Sequence, residues 1–147
     1  MEYKNKYDVL VVGGGHAGCE AAYSAATLGS RVLLISQNLE TIARMSCNPA
    51  MGGIAKGQIL REIDALGGMS AIVTDRSTIQ FRMLNKSKGP AMWSPRAQCD
   101  RKLFEKEWRL ALEGNKNIDF YQDSVEKIII ENKRAVGVVT KMGVKIE

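Results

Sequence analysis

The sequence predicts an α/β fold, with a parallel sheet opened by a βαβ unit and an antiparallel β-meander near the C-terminal end. Three observations predict it. The apolar run Val9 to Val12 stops at Gly13-Gly14-Gly15 and leads through an alanine-rich stretch into a second apolar run, Arg31 to Ile35. Beyond Gly114 helical spacing gives way to short β-branched runs separated by turn residues. Hydrophobic residues make up 45% and charged residues 25% of 147, which supports one packed domain and excludes a disordered chain.

Taken in order, Tyr7 to Val12 is a buried strand, continuous in its apolarity. Ala17 to Leu28 is a helix whose Ala21, Ala22, Ala25 and Ala26 permit close approach to a sheet, and Gly29 ends it. Arg31 to Ile35 is the second strand, parallel to the first through a right-handed crossover. Ser46 to Gly53 is a loop rich in turn formers. Ile54 to Leu66 is helical, with Ile59, Ile63 and Leu66 at helical spacing and Gly67-Gly68 as its close. Asn85 to Pro95 is a second polar loop. A longer helix is expected next, with Ser94 as N-cap, Pro95 at its first position, and Phe104, Trp108, Ala111 and Leu112 on one face. Ile118 to Tyr121, Val125 to Ile130, Val136 to Thr140 and Val144 to Ile146 are strands. The turns at Asn132-Lys133 and Met142-Gly143 imply antiparallel hairpins. Val144 to Glu147 starts a strand with no polar tail, so a fragment of a longer protein is expected; a natural short domain is the alternative.

The net charge of +5 favours anionic partners such as nucleotides or RNA without selecting among them. Cys19, Cys47 and Cys99 are widely spaced and accompanied by a single His, so no zinc site is expected and the thiols read as reduced and intracellular. The opening residues are polar, and the first apolar run is too short for a signal h-region or a membrane span. A cytoplasmic protein without a membrane partner follows.

Gly13-Gly14-Gly15-His16-Ala17-Gly18 fits G-x-G-x-x-G in the context that gives the motif meaning: a strand before it, a helix after it, another strand at the expected distance. Gly13 serves the tight turn, Gly15 lets the main chain approach a pyrophosphate, and Gly18 lets helix and strand pack closely. The helix start, including the backbone of Ala17, points N–H groups at the anion. One departure is plain. Where an acidic residue would meet a ribose hydroxyl, this chain has Ser36, followed by Gln37 and Asn38. His16 is either a donor to the ligand or a loop residue placed by its backbone, and Cys19 is expected to pack.

Three blocks in order resemble the MnmG (GidA) family. The first is Val11 to Ala22 around the glycine loop. The second is Ser46-Cys47-Asn48-Pro49-Ala50-Met51-Gly52-Gly53-Ile54-Ala55-Lys56-Gly57, leading into Glu62 to Gly68. The third is Phe81 to Ala91, followed by Arg96 to Arg101. The likeness runs on to Val136-Gly137-Val138-Val139-Thr140. It implies a glutathione-reductase-like FAD/NAD(P)-binding Rossmann fold, of which residues 1–147 would be the N-terminal part. The NADH-binding insertion and the C-terminal helical region would lie outside it. It further implies tRNA as substrate. With the GTPase MnmE, such an enzyme adds a carboxymethylaminomethyl or aminomethyl group to the wobble uridine. NADH reduces the flavin and methylenetetrahydrofolate supplies the one-carbon unit. A homodimer is implied, and neither DNA nor a membrane is a partner.

On this resemblance Asn48 and Gly53 join Gly13 to Gly18 and Ser36 as cofactor contacts, and Val125 sits where the main chain lies near the adenine. Gly52-Gly53 is either a second anion cradle or an ordinary turn. Cys47 is either a nucleophile towards the uridine ring, its thiolate favoured by Lys56 or a helix start, or a structural thiol beside the cofactor. Lys86, Lys88, Arg96 and Arg101, with Arg82, are either a cationic set suited to RNA phosphates, with Trp93 stacking on a base, or a solvated loop with a partly buried Trp. Lys102, Lys106 and Arg109 alternate with acids and read as a solvated helix face. Other functions carried alongside are a T-loop tRNA uridine methyltransferase, a generic flavin reductase and, for the fragment, a non-catalytic nucleotide-binding module.

Overall fold

The computed structural model describes residues 6–147; the first five residues of the polar opening stretch lie outside the described residues. The chain divides into two compact units, residues 1–42 with 112–147 and residues 43–111.

The first unit is built as the glycine punctuation predicts. Strand β1 (Val9–Val12), helix α1 (His16–Thr27) and strand β2 (Val32–Ser36) form the βαβ unit, with β1 and β2 parallel in the register Val9↔Val32 to Val12↔Ile35. Further along the chain, β6 (Ile118–Gln122) pairs parallel to the other side of β2, giving the order β1-β2-β6. Residues Val32 to Ile35 of this central strand are all buried, as expected when both faces of a parallel sheet are covered. On one face α1 packs through Cys19, Ala22 and Ala26, small side chains that let helix and sheet come close. The other face is covered by a three-stranded antiparallel meander, β7 (Val125–Glu131), β8 (Arg134–Thr140) and β9 (Lys145–Ile146). Leu33 and Ile35 meet Val138 and Ile146 in that core, with Leu10, Tyr121 and Val125 around them.

The second unit carries the differences from expectation. Its sheet is antiparallel, in the order β3-β5-β4, from β3 (Ala50–Gly52), β4 (Thr78–Leu84) and β5 (Ser94–Cys99). Helices α2 (Lys56–Ala65) and α3 (Ser70–Ser77) pack against it. The Ser46-to-Gly53 loop thus contains a short strand, and residues 70–84 form a helix and a strand that periodicity did not single out.

Ser94-Pro95 does not start a helix. Residues 94–99 pair on both sides, with Met51 and Phe81 flanking Ala97, and the Ser94 hydroxyl donates to the Met92 carbonyl, not to a helical turn. Two ladders of main-chain hydrogen bonds outweigh a capping preference worth about 1 kcal/mol. The helix α4 (Arg101–Glu113) is capped by Asp100, whose Oδ1 accepts from the Leu103 amide at 2.8 Å. Its expected apolar face does pack: Phe104, Trp108 and Leu112 are fully buried. In α2, Ile59 is 54% and the following Leu66 90% exposed. The helix turns Gly57 to the sheet instead, where a Cβ would stand 2.7 Å from the Pro95 carbonyl oxygen. Leu60 follows it on the same side, lining a cavity of about 170 Å³ with Met51, Phe81 and Pro95.

Asp123 holds the turn between β6 and β7. Its carboxylate accepts from the amide of Ser124 at 2.7 Å and that of Met142 at 3.1 Å, and the Thr140 side chain also bonds to it. The Thr140 hydrogen bond is the main reason its pKa lies below the ordinary 3.8; the two amides and Lys141 add to it, against partial desolvation. A depressed carboxylate stabilises the fold above its unfolded pKa, and that contribution fades as pH falls through the folded value. Asp123→Asn is therefore expected to lower the melting temperature at neutral pH, with the gap from the parent closing below about pH 3.8. Thermal melts of both proteins from pH 7 to pH 2 check this, and a gap that is constant down to pH 2 would contradict it.

Candidate functional site

The first locus is the turn from β1 into α1. Gly13 has φ +104°, a value side-chain-bearing residues rarely take, and its amide donates to the Ile35 carbonyl at 2.7 Å. The parallel pairing is thus extended one step past β1. Gly18 sits where a Cβ would be 1.9 Å from the Gly13 carbonyl oxygen, so only glycine lets the helix lie this close to the loop. Gly14 is buried against Ile42 and Ser36. Gly15 is the N-cap, and its carbonyl accepts the first helical bond from Cys19 at 2.9 Å.

The first-turn amides of any α-helix lack acceptors within it. Here no side chain caps that end and no acid lies in the first turn, so the positive end of the helix dipole is left for a ligand. A Cβ built at Gly15 meets nothing within 4 Å. The arrangement is a main-chain cradle with open approach, and it fits a pyrophosphate. His16 and Ala17 form the first turn, His16 half-buried and Ala17 exposed.

Beside it the structure brings distant parts of the chain to one cavity of about 330 Å³, lined by Gly13, Ser36, Asn38, Asp123 and Val125 among others. Ser36 donates to the Asn38 carbonyl at 3.3 Å, and the Asn38 side chain accepts from the Glu40 amide at 2.8 Å. Asp123 was not anticipated here. The Asp-Ser pair between two apolar runs is a turn signal that marks it in the sequence. Its oxygens are already engaged by the turn, so it does not replace the missing acid at the end of β2.

The second locus is the loop before β3. Cys47 is exposed, and its carbonyl accepts a hydrogen bond from the Arg101 guanidinium at the start of α4. The Ser46 hydroxyl lies 3.9 Å from the Cys47 sulfur. The Asn48 carbonyl accepts from the Ala50 amide, and the Pro49 carbonyl from the Cys99 amide, each at 2.7 Å. The loop is thereby tied to the sheet while its thiol stands outward. The Gly53 amide donates to Pro95 at 2.8 Å and is spent on the fold, not on an anion cradle; a Cβ at Gly53 would meet open space.

The cationic residues divide. Lys86 and Lys88 are exposed in a 3₁₀ turn, Lys86–Lys88, beyond β4. The Trp93 indole donates to the Lys86 carbonyl at 3.2 Å. Arg96 lies in β5 directly opposite Arg82 in β4. Arg101 is held by Cys47. Lys102 pairs with Glu105 at 3.1 Å on the outer face of α4. Among the described residues no group of three or more His, Cys, Asp or Glu side chains is placed to hold a metal ion, and no helix is long and apolar enough to cross a membrane.

Comparison with known proteins agrees with this architecture. The family described as "Glucose inhibited division protein A" matches residues 8–147. The chain is 64% identical over 144 residues to a Christiangramia forsetii protein and 65% identical over 144 residues to one from Flavobacterium johnsoniae. Both are named "tRNA uridine 5-carboxymethylaminomethyl modification enzyme MnmG". The matches cover 98% of this chain but only 23% of each relative, so the chain spans about a quarter of their length. Among solved structures, Aquifex aeolicus GidA superimposes with a TM-score of 0.93 at 48% identity, over 97% of this chain and 24% of that one. PqsL of Pseudomonas aeruginosa, a probable FAD-dependent monooxygenase, aligns at 19% identity with a TM-score of 0.65 over 97% of this chain and 41% of its own, a likeness of fold alone. The fold is the FAD/NAD(P)-binding Rossmann type expected from the glycine loop, and the chain belongs to the glucose-inhibited division protein A family, the family of MnmG.

Proposed function

We propose that this chain is the FAD-binding N-terminal part of an enzyme that modifies the wobble uridine of tRNA. The observation that carries the proposal is the cradle from Gly13 to Gly18: an uncapped helix start, no first-turn acid, and open space above Gly15. Main-chain amides there hold the pyrophosphate of FAD. The adjoining cavity takes the adenosine end, with Ser36 offering a neutral hydroxyl to the ribose and Val125 its backbone to the adenine. His16 and Ala17 border the phosphates. When bound, the flavin supplies redox chemistry, with electrons from NADH.

Cys47 acts on the uridine. Its sulfur adds to the ring carbon next to the one to be modified, which makes that neighbouring carbon nucleophilic towards a one-carbon unit from methylenetetrahydrofolate. Loss of the ring proton then expels the sulfur as thiolate, and an amine co-substrate takes the place of tetrahydrofolate on the transferred methylene carbon, breaking its bond to the folate nitrogen. Arg101 fixes the main chain at Cys47, and Lys86, Lys88 and Arg96 hold RNA phosphates as point charges and forks. The names of the relatives support the carboxymethylaminomethyl product. The GTPase MnmE as partner, a homodimer of the full-length protein and a cytoplasmic setting belong to the same proposal.

Two glycines separate ligand binding from folding. Gly15→Leu in the full-length protein is expected to abolish the flavin absorbance of the purified protein while destabilising the flavin-free form by no more than the loss of a glycine N-cap, under about 1 kcal/mol. Gly18→Ala is expected to destabilise the flavin-free form by about 1–3 kcal/mol, because its Cβ would collide with main chain. Retention of flavin by Gly15→Leu would remove the cradle from the proposal.

For the thiol, Cys47→Ser is expected to keep FAD bound and to abolish modification, read by mass spectrometry of tRNA nucleosides. Arg101→Gln is expected to keep FAD and slow modification by about 100-fold, the scale of a misplaced reacting group. Normal modification by Cys47→Ser would leave the cysteine a structural role only.

A further inference from the structure

The β3-β5-β4 sheet has two unlike faces. Towards the α2–α3 cavity it presents Met51, Ala97 and Phe81. On the opposite face stand the alternate residues. Arg96 of β5 has Arg82 of β4 as one cross-strand partner and Gly52 of β3 as the other. Two residues along, Gln98 has Gln80 on one side and Ala50 on the other.

Cross-strand partners carry their Cβ atoms about 4.5–5.5 Å apart, and like charges placed so destabilise a sheet. Among the described residues neither arginine has an ion-pair partner or a side-chain hydrogen bond, and neither glutamine in this pair has one. A pair of guanidinium forks with no counter-ion is complementary to a phosphate, which each fork can meet with two N–H bonds.

The strip beside them is low. Gly52 has φ +91°, and a Cβ there would lie 2.1 Å from the Pro95 carbonyl oxygen, so no side chain can stand at that position. Ala50 adds only a methyl group. A planar ring can therefore lie flat along β3, beside Arg96 and Gln98. A carboxamide donates from nitrogen and accepts at oxygen, which matches the N–H and C=O of an imide edge such as that of uracil. Pairs Met83↔Pro95 and Leu84↔Ser94 separate this row from the end of the hairpin, beyond which Lys86 and Lys88 offer further charge to neighbouring phosphates.

We propose that this sheet face holds one single-stranded uridine nucleotide of the RNA substrate, its phosphate on Arg82 and Arg96, its base on the Ala50–Gly52 strip, and its imide edge on Gln98 with Gln80. The proposal rests on the RNA-substrate function above and adds the surface that selects the nucleotide.

The test uses the full-length, flavin-loaded protein and a fluorescent RNA stem-loop with one uridine in its loop, with a cytidine version for comparison. Arg82→Gln with Arg96→Gln is expected to weaken binding at least tenfold and to flatten the slope of log K against log salt by about 0.7, one single-strand phosphate. Flavin absorbance should be unchanged, and the melting temperature equal or higher because the like-charge pair is gone. Gln98→Leu is expected to bring the uridine-over-cytidine preference close to one without changing the salt slope. Should the double variant fold poorly, Arg82→Gln alone, exposed on an edge strand, carries the same salt test. Unchanged affinity and slope in the arginine variants, with the parent binding RNA, would overturn the proposal and leave the RNA-substrate function standing. A parent that does not bind the stem-loop overturns both. Loss of flavin from the double variant would assign the face to the cofactor and overturn the proposal as well.

Discussion

The site depends on one close contact, the carbonyl of Gly13 lying where a side chain on Gly18 would have to be. Any Cβ at Gly18 would lift α1 away from the loop. The helix start would then no longer stand just past the C-terminal end of β1, which is where ligands meet an open parallel sheet. The Gly13 amide, bonded to Ile35, anchors the other side of the turn to β2. With both ends pinned, the uncapped amides of α1 are aimed without any polar side chain helping. The geometry of the proposed cradle is a property of the main chain, which is why residues as ordinary as Gly15 and Ala17 occupy its centre.

The cavity next to that cradle shows what the absence of an acid at Ser36 means. A carboxylate at the end of β2 would accept charge-assisted hydrogen bonds from a ribose, roughly twice as strong as neutral ones. Ser36 is neutral, and its hydroxyl already donates to Asn38. The nearby carboxylate of Asp123 is engaged by the Ser124 and Met142 amides and the Thr140 side chain in the turn it holds together. In the proposed FAD site, selectivity at this end falls on shape and on main-chain groups such as those at Val125, which lines the cavity.

How far the sequence could be read tracks how local the causes are. The βαβ unit was legible because each step has a local cause: an unbroken apolar run, glycine punctuation, an alanine-rich helix. The meander was legible from turn residues at Asn132-Lys133 and Met142-Gly143. The second unit was legible in part: a helix over Lys56–Ala65 and the apolar face of Arg101–Glu113 were expected, but its strands were not, because the signals there conflict. Ser94-Pro95 imitates a helix start, while Asp100, the true cap, follows a strand that exists only through its pairing with β3 and β4. In α2 Ile59 stands exposed, and the packed face begins with Gly57, which carries no hydrophobic signal. The glycine loop itself was found by spacing. The grouping of Asp123 with Ser36, and of Arg101 with Cys47, joins residues 87 and 54 positions apart, and no local pattern encodes such pairs.

The two surfaces proposed for ligands coincide with positions where this chain departs from the choices that would best serve folding. A consistent sequence would cap α1 with a polar side chain, place an acid in its first turn, and put opposite charges across β4 and β5. Instead α1 is bare, and Arg82 faces Arg96. Each departure costs the fold a fraction of a kcal/mol to about 1 kcal/mol, and both leave positive charge uncompensated at an accessible place. Two separate units of the chain thus share one electrostatic bias, towards phosphate. The net charge of +5 expresses that bias only faintly; its physical content lies in where the unpaired groups stand.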